Sequence, residues 1–509
     1  MPDIALLAPA RRAPSPPPAP PAPRSPGDAW RVALPPALLM LALGLWGIER
    51  EGALWADEAV TYDMASRTVP EIWRTLGSAD AVHGLYYLLM HGVFTVWEPG
   101  TVPLRLPSAL AMSATAAGVA VIGRHLAGPR AGLLAGLLLP LLPSVQWYAQ
   151  EGRSYALVCA CVTWGTWLLL RRKWAAYAAV MLVACLLHEF AVLALVAHGT
   201  TLLLEARAQS LPRAEGPLHA LPRGWRNAAA VVVLGLAPLA GFSVTQSQQV
   251  DWIAFPSTPD LITVGLVAAL ARLSLRGPGP AALRRVAVPV LIVPTALLLA
   301  VSTVHQLFVG RYVLSYVIGA ALLLGAALDR YWSRGLVLAT AAASLLTLVV
   351  QGPALRTPDS RKEDVGEVAA AIAAAAEPGD GVLFTPVRRR VQVLVHPSAL
   401  HGLHDVSLAA SPRASNTLYG RDLAPEEIRD RMLRTPRIVV VQDRRGQPLD
   451  PFPGERMKRE VLAAEFTLRE ERLVGKVRIG VYARAVPQPP ADTAAALTSR
   501  LVEVLRFPL

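Results

Sequence analysis

What most constrains this chain is a train of apolar runs that begins at Val32 and ends at Val350, separated by loops of contrasting charge. A bilayer core of about 30 Å asks for such runs in helices that cross it. After a first run at Val32–Ile48, the candidate spans are about 104–124, 130–147, 154–170, 174–187, 190–204, 227–247, 259–275, 286–304, 312–328 and 334–350. Of the 509 residues, 53% are hydrophobic, and the net charge is +12. A basic chain can point to nucleic acid. Here the Arg residues cluster in loops between apolar runs, which is the positive-inside pattern of a membrane protein and argues against a nucleic-acid partner.

The loops settle the side of each span. Arg11, Arg12, Arg24 and Arg31 precede the first run and place the N-terminus in the cytoplasm. Basic loops follow at Arg124-His125 with Arg130, at Arg171-Arg172-Lys173, at Arg207 through Arg226, at Arg284-Arg285, and at Arg330 with Arg334. They alternate with loops that hold Glu151, His188-Glu189, Asp251-Trp252 and Arg311. If Leu85–Trp97 crossed the membrane, every later basic loop would lie outside. That segment is therefore read as an in-plane helix within one long external loop, residues 50–103. The expected fold is a polytopic α-helical membrane protein of the plasma membrane, with about eleven transmembrane helices over residues 30–350 and its C-terminus outside.

Residues 1–29 are rich in Pro and Ala, cannot form an apolar core, and read as a disordered cytoplasmic tail rather than a signal peptide. Cys159, Cys161 and Cys185 lie in apolar runs without metal-ligand company and read as buried small hydrophobes. Beyond Val350 the long apolar runs stop. Helices are expected at Glu367–Ala376 and Pro425–Arg434, and strands at Gly381–Pro386, Arg437–Gln442 and Val474–Ala483. Residues 351–509 thus read as a small extracytoplasmic α/β domain with a mostly parallel sheet and no Gly-rich phosphate loop.

Directly after the first run comes Trp55-Ala56-Asp57-Glu58, with Thr61, Asp80 and His83-Gly84-Leu85-Tyr86-Tyr87 behind it. Two adjacent carboxylates at a membrane boundary are costly to place without a use. These residues resemble the first external loop of family 39 glycosyltransferases, membrane enzymes of the GT-C type related to protein O-mannosyltransferases and to aminoarabinose transferases acting on lipid A. The resemblance continues through Arg105-Leu106-Pro107-Ser108, Gln150-Glu151-Gly152-Arg153-Ser154-Tyr155 and Arg311-Tyr312. It implies a GT-C membrane domain and a hexosyltransferase that takes a sugar, mannose first, from a polyprenyl-phosphate donor. The acceptor hydroxyl would belong to a protein, a glycolipid or a polysaccharide outside the cytoplasm, and membrane lipids complete the partners.

In that reading Asp57 is the base that takes the acceptor proton, and Glu58 is its catalytic neighbour. Arg311 grips the phosphate in a guanidinium fork. Asp80, His83, Arg105, Glu151, Arg153, Tyr155 and Tyr312 complete the substrate-binding set. Val82-His83-Gly84 departs from the charged residue and prolines of many relatives, so no metal ligand is carried over. No cofactor is implied, and a divalent metal stays open. Two other classes compete. A transporter or flippase of lipid-linked sugars would favour internal repeats and charge near the bilayer midplane, and neither is seen. A membrane scaffold would leave Asp57, Glu151 and Arg311 unexplained.

Overall fold

The computed structural model describes residues 29–209, 220–246, 253, 255–277, 279–361 and 363–484. The tail expected over 1–29 (save Ala29) and the Asp251-Trp252 pair lie outside the described residues.

The order of elements follows the apolar pattern. Helix α1 (Ala29–Leu45) leads to α2 (Ala56–Ala65), α3 (Val69–Leu76) and α4 (Gly84–Val96). Then come α5 (Thr101–Ala127), α6 (Pro129–Leu138), α7 (Pro143–Ala149), α8 (Tyr155–Leu170), α9 (Trp174–Leu187) and α10 (Val192–Ala208). The helical part closes with α11 (Arg223–Val244), α12 (Thr258–Arg276), α13 (Ala281–Val301), α14 (Tyr316–Arg330) and α15 (Arg334–Ala354). Every segment expected to cross the membrane is helical. By length and composition, six of the described helices can cross, or seven if one bent pair is a single span. The other expected spans are shorter helices; α9, for example, has 14 residues. Helix α4 has 13 residues, about 20 Å of rise, so like α9 it is shorter than a straight crossing of the bilayer core.

One span departs from its expected form. The run at 130–147 is not straight: Pro129–Leu141 and Pro143–Ala149 meet at 68°. Pro143 lacks an N–H and pushes Leu142 out of the helical region, to ψ 125°. The bend turns Gln146 and the loop behind it into the protein. The neighbouring helices pack closely through small residues. A Cβ on Gly325 of α14 would lie 2.4 Å from the Ala135 nitrogen of α6, so only glycine lets these backbones approach.

Behind α15, the chain builds a mixed sheet. Its strands are β1 (Gly381–Thr385), β2 (His404–Asp405), β5 (Arg437–Asp443), β6 (Phe466–Val474) and β7 (Val477–Arg484), in the order β2-β1-β5-β7-β6. A separate pair, β3 (Leu408–Ala410) and β4 (Arg421–Asp422), is antiparallel. Helices α16 (Val365–Ala375), α17 (Pro412–Ser415), α18 (Pro425–Arg434) and α19 (Pro453–Glu465) complete the unit. The core strand β5 is Arg-Ile-Val-Val-Val-Gln-Asp with its centre buried, as the apolar run predicts. The sheet is not mostly parallel: β1 pairs in parallel with β2 and β5, whereas β7 pairs antiparallel with β5 and β6. The missed strand β6 is an edge, and charged, exposed side chains over Arg469–Arg472 hide it in the sequence. A two-residue turn, Gly475-Lys476 with Gly475 at φ +55°, makes β6 and β7 a hairpin.

The junction grips the start of the acidic segment. The Val365 N–H donates to the Leu54 carbonyl at 2.8 Å, and the Leu54 N–H donates to Asp364 Oδ1 at 3.2 Å. Asp364 also caps α16 through the Gly366 N–H.

Candidate functional site

Asp57 and Glu58 occupy the first turn of α2, where the unpaired amides of a helix N-terminus favour carboxylates. Successive helical residues diverge by about 100°, so the pair cannot point the same way. Glu58 turns inward and is fully buried. Arg105 of α5, also fully buried, grips it in a fork, with Nε to Oε1 at 2.8 Å and Nη2 to Oε2 at 2.7 Å. The Gly152 N–H adds a third bond to Oε1 at 2.9 Å. The remaining Arg105 donors go to the carbonyls of Ile48, Glu49 and Ala53. Burial by itself raises a carboxyl pKa, but Arg105 outweighs it and holds Glu58 down at about 2. Glu58 is thus a permanent anion that ties α2, α5 and the loop after α7 into one frame, and neither it nor Arg105 faces open space.

Asp57 turns the other way and is 29% exposed, with Arg311 Nη2 3.6 Å from Oδ2. Arg311 comes from the short turn Gly310–Val313 between α13 and α14. The rings of Trp55, Tyr155 and Tyr312 surround its guanidinium at 5.9, 5.7 and 5.7 Å, a distance at which a ring face steadies a cation. Behind it His188 stands 4.7 Å from Tyr312 and 5.5 Å from Tyr155, and Phe190 stacks on Tyr312.

Asp80 sits in the left-handed region at φ +58° and accepts a hydrogen bond from the Tyr87 hydroxyl. Arg153 Nη1 reaches the same hydroxyl at 3.3 Å and Thr61 Oγ1 at 3.4 Å. His83 lies 3.9 Å from Asp80. It carries no charge, because burial first, then Arg153 and Arg311, pushes its pKa well below the ordinary value. The contact with Asp80 is therefore not an ion pair. The Nδ1 of His83 has no hydrogen-bond partner among the described residues.

Glu151 is the anomaly of the site. It is 1% exposed, and neither carboxyl oxygen has a hydrogen-bond partner among the described residues. Burial pushes it up to about 7, against the opposing pull of Arg361 and Arg311. The residue borders a cavity of about 510 Å³ together with Trp55, Trp147, Tyr148 and Arg311, with its carboxyl oxygens themselves buried. The lining also includes Val264 and Val267 of α12, with Asp260 and Thr263 from the same helix, and Phe308 and Leu314. Helix α12 also carries the exposed Leu261, Ile262 and Leu266, so the cavity is bordered by a helix with an exposed apolar surface. Among the described residues, no three His, Cys, Asp or Glu gather as metal ligands.

Of the residues selected from the sequence, Glu58 and Arg105 lie beneath this pocket system, and the others fall in or beside it. Sequence reasoning passed over His188, which it took for a turn residue, and Arg361. Arg361 lies over the Trp147 ring at 3.7 Å and donates to its carbonyl at 3.0 Å. Its position after the last apolar run carries no local signal.

No protein-family profile matches the chain, and no curated protein matches it by sequence. Solved structures do match. ArnT from Cupriavidus metallidurans, bound to undecaprenyl phosphate, superposes with a TM-score of 0.52 at 13% identity, over 89% of this chain and 98% of that one. The same protein in its apo state gives 0.54 at 13% identity, over 90% and 98%. The chain therefore shares the fold of ArnT.

Proposed function

We propose, on the fold shared with ArnT, that this protein is a membrane glycosyltransferase that moves a sugar from a polyprenyl phosphate to an acceptor hydroxyl outside the cytoplasm. The observation that carries this reading is the pairing of Asp57 with Arg311 at 3.6 Å beside a cavity lined by charged, aromatic and aliphatic side chains. A polyprenyl-phosphate sugar needs both a charged and an apolar lining. The lipid phosphate lies against Arg311, whose fork fits phosphate oxygens, and the first isoprene units lie along α12. ArnT was solved with undecaprenyl phosphate, which supports the same class of lipid here.

The reaction follows from the placement. The acceptor oxygen attacks the anomeric carbon as the bond from that carbon to the phosphate oxygen breaks. The electron pair leaves with the phosphate, whose charge Arg311 holds, and the acceptor proton passes to Asp57. Attack opposite the leaving group inverts the anomeric centre. Tyr155 and Tyr312 wall the guanidinium, and Asp80, His83 and Arg153 form a cluster around the Tyr87 hydroxyl. Glu58 and Arg105 act by position, not through the substrate contacts expected of them from sequence: they hold α2 so that Asp57 meets Arg311. Mannose and aminoarabinose, the sugars of the enzymes the sequence resembles, are the first donors to try.

The test is transfer of radiolabel from undecaprenyl-phosphate sugars into membrane acceptors, with Asp57→Asn beside the wild type. The variant should keep its fold and lose transfer by about 10²–10⁴-fold, the usual worth of a positioned base. Full activity in Asp57→Asn would falsify the assignment.

A further inference from the structure

Two helix ends meet at the turn that carries Asp80, and one side chain from beyond α11 serves both. Helix α3 stops at Leu76, and the short Ala81–His83 turn leads into α4. The last carbonyls of one helix and the first N–H groups of the next have no partner within their own turns. Gln246 supplies a partner to each. Its Nε2 donates to the Leu76 carbonyl at 2.9 Å, and its Oε1 accepts the Ala81 N–H at 3.0 Å. Only a carboxamide offers a donor and an acceptor side by side in this way. Gln246 follows the end of α11, and that end is itself held, because Ser243 Oγ donates to Glu189 Oε2 at 2.8 Å.

This turn needs holding. Asp80 is left-handed at φ +58°, a conformation that a residue other than glycine keeps only where its surroundings over-determine it. Ser78, in the same turn, adds a bond from its Oγ to the Asn416 carbonyl of the C-terminal domain. So fixed, Asp80 accepts the Tyr87 hydroxyl. Arg153 Nη1 reaches that hydroxyl at 3.3 Å and Thr61 Oγ1 at 3.4 Å. Thr61 Oγ1 in turn donates to the Asp57 carbonyl at 3.1 Å. A continuous series of contacts therefore runs from Gln246 to the residue that carries the proposed base. Gln246 is not among the residues that line the cavity of Arg311 and Glu151.

We propose that Gln246 is a positioning residue of the active site: it fixes the Asp80 turn and, through Tyr87 and Arg153, the placement of Asp57 on α2. This rests on the glycosyltransferase reading. A base displaced by an ångström loses rate although no reacting group has been removed. A series that ends on the Asp57 backbone acts on proton transfer and not on the lipid. Its loss is therefore read in kcat, with binding of the donor lipid unchanged.

The test uses the full chain in membranes and in detergent, with wild type, Gln246→Ala, Gln246→Glu, Tyr87→Phe and the double variant Gln246→Ala with Tyr87→Phe. Binding of undecaprenyl phosphate is read by quenching of tryptophan fluorescence, and transfer by radiolabel from the donor sugar on which the wild type is active. Hydrogen exchange over residues 76–83 reads the turn itself. Gln246→Ala should exchange faster there and bind undecaprenyl phosphate within about twofold of wild type, yet transfer about tenfold more slowly, the equivalent of one lost hydrogen bond. Gln246→Glu keeps an acceptor for Ala81 but has no donor for Leu76, and its rate should fall between those of Gln246→Ala and the wild type. Tyr87→Phe removes the hydroxyl in the middle of the series. The double variant should then be no slower than the slower single one, because contacts in one network are not additive. If the two losses multiply, Gln246 does not act through the cluster and the inference is wrong. If Gln246→Ala transfers like the wild type, the inference is wrong whatever the exchange shows. If lipid binding and the melting temperature fall together with transfer, Gln246 only supports the fold, which also overturns it. A wild type that transfers no sugar from any donor overturns the glycosyltransferase reading itself, and this inference with it.

Discussion

Glu151 shows how one residue can set a pH response. Its carboxyl is raised to about 7 by burial, so in the folded protein it keeps its proton until near neutrality. The unfolded chain ionises near 4.5. Between those values the unfolded state binds fewer protons than the folded one, so stability falls as pH rises, by up to about 1.4 kcal/mol per pH unit. Ionisation near pH 7 also places a negative charge close behind the lining of the cavity that Arg311 shares, where a donor phosphate would sit. Donor affinity should therefore drop as pH passes through 7. Glu151→Gln should flatten both slopes, seen in melting curves and in undecaprenyl-phosphate binding from about pH 5 to 8. A slope equal to that of the wild type would mean that Glu151 does not titrate there.

At the scale of elements, the frame matters more than any one contact. Arg105 joins α5 to α2 through Glu58, and both side chains are fully buried. Removing one partner leaves a buried charge unpaired, which costs roughly 3–5 kcal/mol. Arg105→Ala should lower the melting temperature in detergent and abolish transfer. Arg105→Lys should not restore it, because an ammonium cannot supply the planar fork that meets both oxygens. Recovery of full stability by lysine would show that charge alone suffices. Both residues were selected from the sequence as active-site groups, and both lie at the base of the site. Their bidentate geometry, invisible in a linear string that separates them by 47 positions, assigns them to its support.

In the molecule as a whole, the C-terminal domain and the membrane helices meet at the acidic segment. Leu54, three residues before Asp57, exchanges hydrogen bonds with Asp364 and Val365. Arg356 reaches back in the same way, over the Trp46 ring at 4.1 Å and onto the carbonyls of Leu43 and Trp46. The C-terminal domain therefore steadies the start of α2. Asp364→Ala removes the Leu54 partner and the α16 cap together, about 1 kcal/mol for the cap alone. It should speed protease cleavage between α15 and α16 and reduce transfer several-fold with the membrane helices intact. Unchanged proteolysis and transfer would show that the junction is passive.

The sequence by itself determined the membrane class, the helical segments, the buried strands β1 and β5 and most of the residues that gather near Asp57. Those features are local: hydropathy over some twenty residues, charge between runs, and short motifs are written in neighbouring positions. It did not show the 68° break at Pro143, the charged edge strand β6, the division of labour between Asp57 and Glu58, or the arrival of Arg361 from far along the chain. These depend on which surfaces meet once the helices have packed. Two carboxylates adjacent in sequence differ because one is fully buried in the fork of Arg105 and the other stays partly exposed beside Arg311, and only the tertiary structure decides that.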